Sequence, residues 1–255
     1  YPFLWERAFF REGRDLTVAD TELGDLGMMI CWDSAHPELW ARYAGRVDAM
    51  LIISCPPLIN KAEIVFPDGK RLPQMTQSGH FADGGIQAQA KWMGVPVAHS
   101  SGHGNFSTPI PVAEPTVAFN AIQQPNEFFE LMKQAHYARL ETQFGYHTQI
   151  IGADGDVLAR VTQDGDAFTL ATIELADKKP LPDTEQPAFD YPPHEYVAID
   201  VLSDMVYAPV YQRNIKRQWG ERMAPFDWST RVWAAVSVIM LFVGMILGSA
   251  SRKKD

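Results

Sequence analysis

Hydrophobic residues in this chain gather into short runs divided by turn-forming residues, and a few longer stretches look helical. Leu26–Cys31, Ala49–Ser54 and Val95–His99 are compact apolar runs of strand length, a pattern that fits buried strands. Later, His147–Gly152, Val157–Val161 and Ala167–Ile173 also read as strands, and Asp154-Gly155 predicts a tight hairpin between the first two. Helices fit Pro37–Tyr43 and Gly84–Met93. Ser34 is a candidate cap for the first, and Pro37 suits its first turn, where a missing N–H costs nothing. The proline- and small-residue-rich stretch Asn105–Pro125 reads as a loop. Asn126 then caps an expected helix from Glu127 to about Phe144, with Phe128, Leu131, Met132, Ala135 and Leu140 as its apolar stripe. That helix is either a wall of a pocket or an insertion packed on the outside. Prolines and acids over Lys178–Pro193 predict a linker or extended arm.

The last part of the chain has a different character. Val232–Ala250 carries no charge, and 19 helical residues span about 28 Å, close to the thickness of a bilayer core. Trp228 and Trp233 stand where interfacial aromatics are common, and Arg252, Lys253 and Lys254 close the far side. The segment is expected to be a single-pass transmembrane anchor. Gly244 and Gly248 form a GxxxG within it. Before it, Ile199–Met223 combines Val201, Leu202, Met205, Val206 and Val210 with Arg213, Lys216, Arg217 and Arg222, a pattern for resting on a membrane surface or docking on the preceding domain. The basic residues on the near side, including Arg231, favour a cytoplasmic body.

Composition refines this picture. Hydrophobic residues make up 46% of the chain and charged residues 21%, enough apolar material for a sizeable core. A net charge of −9 argues against a nucleic-acid partner. Two cysteines, Cys31 and Cys55, lack disulfide-framework or metal-type spacing and are expected to be reduced. His99 and His103 are four apart, but Ser100-Ser-Gly102 between them makes a helical metal pair a poor expectation. No cofactor or metal is expected.

Cys31 is the residue with most chemical promise. It ends the apolar run Leu26-Gly-Met-Met-Ile, only a short turn before the helix at Pro37. A thiol at a strand-to-helix corner sits outside the sheet end, and the N–H groups after it can stabilise a thiolate or an oxyanion. A buried structural cysteine is the plainer alternative. Cys55, in Ile52-Ile-Ser-Cys-Pro-Pro57, reads as a structural thiol or pocket wall.

The surroundings of Cys31 carry a resemblance. Gly24-Asp-Leu-Gly27-Met-Met-Ile-Cys31-Trp-Asp33, His36-Pro-Glu38 and Gly45-Arg-Val-Asp48-Ala-Met-Leu-Ile-Ile-Ser54 resemble the nucleophile segment of the nitrilase superfamily of carbon–nitrogen hydrolases. Phe9-Phe10-Arg-Glu-Gly13, Ala88-Gln-Ala-Lys-Trp-Met-Gly94-Val-Pro-Val97 and Ile150-Ile-Gly-Ala-Asp-Gly155-Asp-Val-Leu-Ala159 match further family stretches in order, so the resemblance covers roughly Trp5–Leu175. It implies an α/β fold, the nitrilase-like four-layer α-β-β-α sandwich, with its N-terminal part missing. It implies Cys31 as nucleophile, the N–H of Trp32 as oxyanion donor, Asp33 as the residue that orients the turn, and Glu6 as the family's second glutamate. For Glu6 the plain alternative is a surface residue paired with Arg7 or Arg11. The family's general base and lysine are expected before Tyr1, since Lys61 and Lys70 follow the nucleophile.

The expected division is therefore a partial carbon–nitrogen hydrolase domain over residues 1–177, a linker and amphipathic arm over 178–230, and a transmembrane helix with basic tail over 231–255. As given, the chain is expected to be catalytically incomplete. The implied function is membrane-anchored hydrolysis of a small-molecule amide, carbamoyl or nitrile compound through a cysteine thioester, with the lipid bilayer as a partner and homo-oligomerisation left open. A membrane N-acyltransferase of the same superfamily and a catalytically inactive scaffold domain are the alternatives.

Overall fold

The computed structural model describes residues 1–73, 84–110, 112–145, 147–189 and 196–219. They fall into two compact units, one of Tyr1 and Glu12–Pro192, the other of Pro2–Arg11 and the chain after Pro193. In chain order the strands are β1 Val18–Thr21, β2 Gly24–Ile30, β3 Ala49–Ser54, β4 Glu63–Val65, β5 Arg71–Pro73, β6 Val97–Ser101, β7 Gly104–Pro109, β8 Arg139–Phe144, β9 Gln149–Ile151 and β10 Val157–Arg160. The α-helices are α1 Pro37–Tyr43, α2 Gly85–Met93, α3 Ala113–Ala121, α4 Phe128–Gln134 and α5 Ser203–Trp219.

The first unit is a mixed α/β body with a six-stranded sheet, ordered β1-β2-β3-β6-β9-β10, and a four-stranded sheet, ordered β5-β4-β8-β7. At the centre of the larger sheet β2, β3 and β6 run parallel, with Ile30 opposite Ile53 and Ile53 opposite Ser100. Such pairs need crossovers, which α1 and α2 provide. Their apolar sides, Trp40 and Tyr43 from α1, Ile86, Ala90 and Met93 from α2, are buried together with the sheet residues Met29, Met50, Ile52, Val97 and Ile151. Burial of each large side chain of this kind contributes about 1.5–3 kcal/mol. Gly27 permits the fit, because a Cβ there would lie 2.4 Å from Met50 Sδ and 3.0 Å from the Tyr43 ring. The opposite face of the same strands is open to solvent: Ile30 is 68% exposed and Ile53 66%.

Several expectations hold at the level of element and bounds, among them α1 and β3. Others are corrected. Ser34 does not cap α1, whose N-cap is His36 with no side-chain bond, and the Ser34 hydroxyl turns back to the Cys31 carbonyl. The expected loop Asn105–Pro125 contains β7 and α3. The expected helix Glu127–Phe144 stops at Gln134, passes through a 3-10 turn at Ala135–Tyr137 and becomes β8. Its start has no side-chain cap, so Asn126 does not play that part. Leu140 and Thr142 are buried at alternate positions of β8, a strand period that the helical spacing before it concealed. Ala167–Ile173 pairs with no strand among the described residues. Residues 178–189 run without regular structure along α2. Gln186 Nε2 donates to the Pro37 carbonyl at 2.7 Å, Trp92 donates to the Thr184 carbonyl at 3.0 Å, and Phe189 is buried beside Gly85.

In the second unit, a 3-10 helix at Leu4–Ala8 packs against α5, which follows a π-helical turn at Val197–Leu202. Arg7 is buried and forms ion pairs with Asp200 at 2.9 Å and Asp204 at 3.7 Å. Ile199, Ser203, Tyr207 and Gln212 are buried at near-helical spacing, so the arm expected over Ile199–Met223 presents one covered stripe. The transmembrane helix expected at Val232–Ala250, with Trp228, Trp233, the GxxxG glycines and the basic tail, lies outside the described residues. Among the described helices none is long and apolar enough to cross a membrane.

Candidate active site

Cys31 is not the last residue of its strand. β2 ends at Ile30, and Cys31 opens a 3-10 turn, Cys31–Ala35, with φ 48°. Among the described non-glycine residues only Leu4 and Val112 share a positive φ. That region crowds the Cβ of an L residue against the following carbonyl. Three side chains in and beside the turn fix it. The Ile30 N–H donates to the Asp33 carboxylate at 3.0 Å, the Ser34 hydroxyl donates to the Cys31 carbonyl at 2.7 Å, and His36 Nδ1 donates to the Trp32 carbonyl at 2.8 Å. Trp32, Ser34 and Ala35 are fully buried, and Trp40 Nε1 donates to the Ser34 carbonyl at 2.9 Å, so α1 locks the turn from below. Cys31 itself stays partly exposed and forms no disulfide.

The turn is also tied to the sheet. The Tyr43 hydroxyl lies 2.7 Å from the Met28 carbonyl and donates to it, with the Thr17 carbonyl 3.2 Å away. Burial pushes the Tyr43 phenol above its ordinary value, which keeps the donor protonated. The Asp33 carboxylate accepts the Ile30 N–H within the turn. Glu6 lies in the other compact unit, on the 3-10 helix, where its carboxylate accepts the Phe3 N–H at 2.8 Å.

The strand register sets a row of residues along the carboxyl end of the larger sheet. Ile30 stands opposite Ile53 and Ser54 opposite Ser101, which places Cys31, Ser54 and Ser101 at successive strand ends. Ser54 is buried and hydrogen-bonded to His99 Nε2 on β6, and the His99 and His147 rings stack with centroids 6.5 Å apart. Burial, reinforced by the neighbouring His147, lowers His99 to about 4. This cluster escaped the sequence reading, although His99 follows Val97 at the strand period and so shares its inward face. Cys55 is an exposed free thiol that packs on Gly102, where a Cβ would meet its Sγ at 2.6 Å.

Beyond Ser101 the ends of β6 and β8 and the start of β7 border a cavity of about 820 Å³. Lys61, Gly102, His103, Phe144, Asp164 and Asp166 are among its walls. His103 Nε2 lies 3.4 Å from Asp164 Oδ1, so His103 faces this space and His99 the interior. Sequence reading missed the cavity; the signal was the pair of glycine-rich segments, Ser101–Asn105 and Asp164–Asp166, that flank strand ends. Among the described residues no group of three or more His, Cys, Asp or Glu could hold a metal ion.

A family model described as Carbon-nitrogen hydrolase matches residues 2–183. A probable nitrilase of Schizosaccharomyces pombe is 39% identical over 49 residues, which is 19% of this chain and 18% of the yeast protein. Among solved structures, an amidase from Nesterenkonia sp. matches with a TM-score of 0.35 and 15% identity, covering 60% of this chain and 39% of the amidase. A carbon-nitrogen hydrolase from Helicobacter pylori G27 matches with a TM-score of 0.34 and 19% identity over 57% of this chain and 39% of its own. The chain thus spans less than half the length of each of these relatives.

Proposed function

Because the chain belongs to the carbon-nitrogen hydrolase family, we propose that it carries the nucleophile half of an enzyme that hydrolyses non-peptide carbon–nitrogen bonds in small amides, carbamoyl compounds or nitriles. The observation that carries this reading is the backbone of Cys31: a partly exposed thiol, held at positive φ on the first residue of a braced turn at a strand's carboxyl end. Strain of this kind at a reactive side chain is a feature of functional sites. In the proposed reaction on an amide, Sγ gives up its proton to a general base and bonds to the carbonyl carbon. The N–H of Trp32 then stabilises the developing oxyanion. Collapse expels the amine, which takes a proton, and leaves a thioester. Water cleaves the thioester to the acid and restores the thiol. Glu6 is assigned to the family's second glutamate, and the general base and the lysine to positions before Tyr1.

The fold that goes with this reading is the four-layer α-β-β-α sandwich. Membrane attachment is assigned to the uncharged segment 232–250 with the catalytic body in the cytoplasm, on the strength of the sequence pattern alone. The test of the central claim is mass spectrometry of the full-length protein treated with a small amide. An acyl adduct on Cys31 and none on Cys55 is the expected result, and full turnover in Cys31→Ser would defeat the proposal.

A further inference from the structure

The cavity beyond the ends of β6 and β8 is separate from Cys31 yet lies on the same edge of the larger sheet. Ser101, on its wall, ends β6, two strands across from the row position of Cys31. Strands are spaced about 4.8 Å apart, so the wall begins about 10 Å from the nucleophile's backbone. Crevices outside the carboxyl ends of parallel strands are where open α/β sheets bind ligands. The charges lining this one are of both signs. Lys61 donates to Gln143 Oε1 at 3.4 Å but has no carboxylate partner among the described residues. Asp166 has neither a hydrogen bond nor an ion pair among them, and Asp164 stands beside His103. Phe144 supplies an apolar part of the wall. An ammonium and a carboxylate, neither of them in an ion pair among the described residues, around one space of about 820 Å³ are complementary to a ligand that carries both charges.

We infer that this cavity is the specificity pocket for the non-reacting end of the substrate, and that the end it holds is zwitterionic: a carboxylate against Lys61 and an ammonium against Asp166. Resting on the hydrolase reading, this narrows the substrate to an amide of an amino acid whose scissile group lies at the far end of a chain long enough to reach Cys31. Substrates with a neutral tail would leave both charges of the pocket unanswered.

The test is calorimetric binding to the Cys31→Ala protein, in which turnover plays no part. Three probes separate the charges: 2-aminopimelic acid 7-amide carries both, pimelic acid monoamide lacks the ammonium, and 6-aminohexanamide lacks the carboxylate. The zwitterion should bind at least about tenfold more tightly than either, as one charge-assisted contact warrants. Lys61→Met should abolish its advantage over 6-aminohexanamide, and Lys61→Arg should keep it. Asp166→Asn should abolish its advantage over pimelic acid monoamide. Both positions are exposed, so circular dichroism should show the fold unchanged. Equal affinity for the three probes, or variants that keep both preferences, would overturn the assignment. If binding follows the predicted pattern while the full-length protein with Cys31 intact hydrolyses none of the amides, the pocket stands and the hydrolase reading falls. Hydrolysis without any charge preference has the opposite meaning.

Discussion

The Ser34 hydroxyl donates to the carbonyl of Cys31 at 2.7 Å, and with the Asp33 carboxylate on the Ile30 N–H it closes the turn across the one residue held at φ 48°. The bonds hold Cys31 where a side chain is disfavoured by about 1–2 kcal/mol relative to the right-handed region. Glycine has no such cost. Cys31→Gly should therefore be more stable than Cys31→Ala by about 1 kcal/mol in urea denaturation, although both should abolish turnover. If the glycine variant is the less stable of the two, the turn does not store strain at this position.

Asp33 separates an orienting role from a proton-transfer role. Removing its carboxylate in Asp33→Ala leaves the Ile30 N–H without its acceptor and should cost about 1 kcal/mol of stability, with a fall in kcat. Asp33→Asn keeps an acceptor oxygen and should restore most of both. An Asn variant as inactive as the Ala variant, with stability recovered, would show that the carboxylate moves a proton.

Elements whose local and tertiary preferences agree were legible in the sequence. The apolar run Ala49–Ser54 is central in the sheet, and Pro37 begins α1 where its missing N–H is harmless. β7 was not legible because it lies at the edge of its sheet, with Asn105, Ser107 and Pro109 on its exposed positions. α3 begins at a left-handed Val112 with no side-chain cap, so the polar N-cap signal is absent and only Glu114 in the first turn marks its start. Ala167–Ile173 shows the converse: its alternation is that of a strand, yet Phe168 is 80% and Leu170 79% exposed and no ladder forms among the described residues. Period tells which residues share a face, not whether a partner is there to cover it. In the candidate site, Cys31, Trp32 and Asp33 were legible as contiguous residues. The cavity was not, because it joins segments from Leu58 to Ala167 that only the register brings to one edge.

His99 makes the fold sensitive to acid. Burial and the neighbouring His147 lower it to about 4, against the ordinary histidine value of 6.5 that an unfolded chain keeps. The unfolded state then binds the proton first, so the contribution to stability is complete above pH 6.5 and is lost as the pH falls towards 4. The full loss is about 3 kcal/mol. Denaturation midpoints measured from pH 7 to 4 should drop steeply, and His99→Gln, which keeps a polar partner for Ser54 without a titrating ring, should flatten the profile. An identical slope in the variant would assign the acid sensitivity to other groups.

The open face of the larger sheet predicts self-association. Ile30 and Ile53 are cross-strand neighbours, 68% and 66% exposed, with Met28 at 41% beside them. A contiguous apolar patch on a sheet favours contact with another apolar surface. The 255-residue chain in isolation should show concentration-dependent association in sedimentation, and Ile53→Lys should shift it towards the monomer. Unchanged association in that variant would place the contact elsewhere.

The proposed membrane attachment can be tested without reference to catalysis. Nineteen uncharged residues at 232–250 are enough to span the hydrocarbon core, and the transfer of that much apolar surface into lipid is effectively irreversible. The full-length protein should therefore stay with membranes through high salt and alkaline carbonate, both of which strip proteins held by charge alone. Deleting residues from Arg231 onward should release it into the soluble fraction. Hydrolysis of small amides should survive, since Cys31 and its turn lie in the unit that ends at Pro192. If carbonate strips the intact protein, the segment is packed against protein and does not cross the bilayer. If the truncated protein stays bound, attachment resides elsewhere, and the cations Arg213, Lys216, Arg217 and Arg222 are the first to neutralise. Loss of activity on a lipid-linked substrate alone, with small amides still cleaved, would favour the acyltransferase alternative, because only a reaction on a membrane-held substrate requires the enzyme to share its surface.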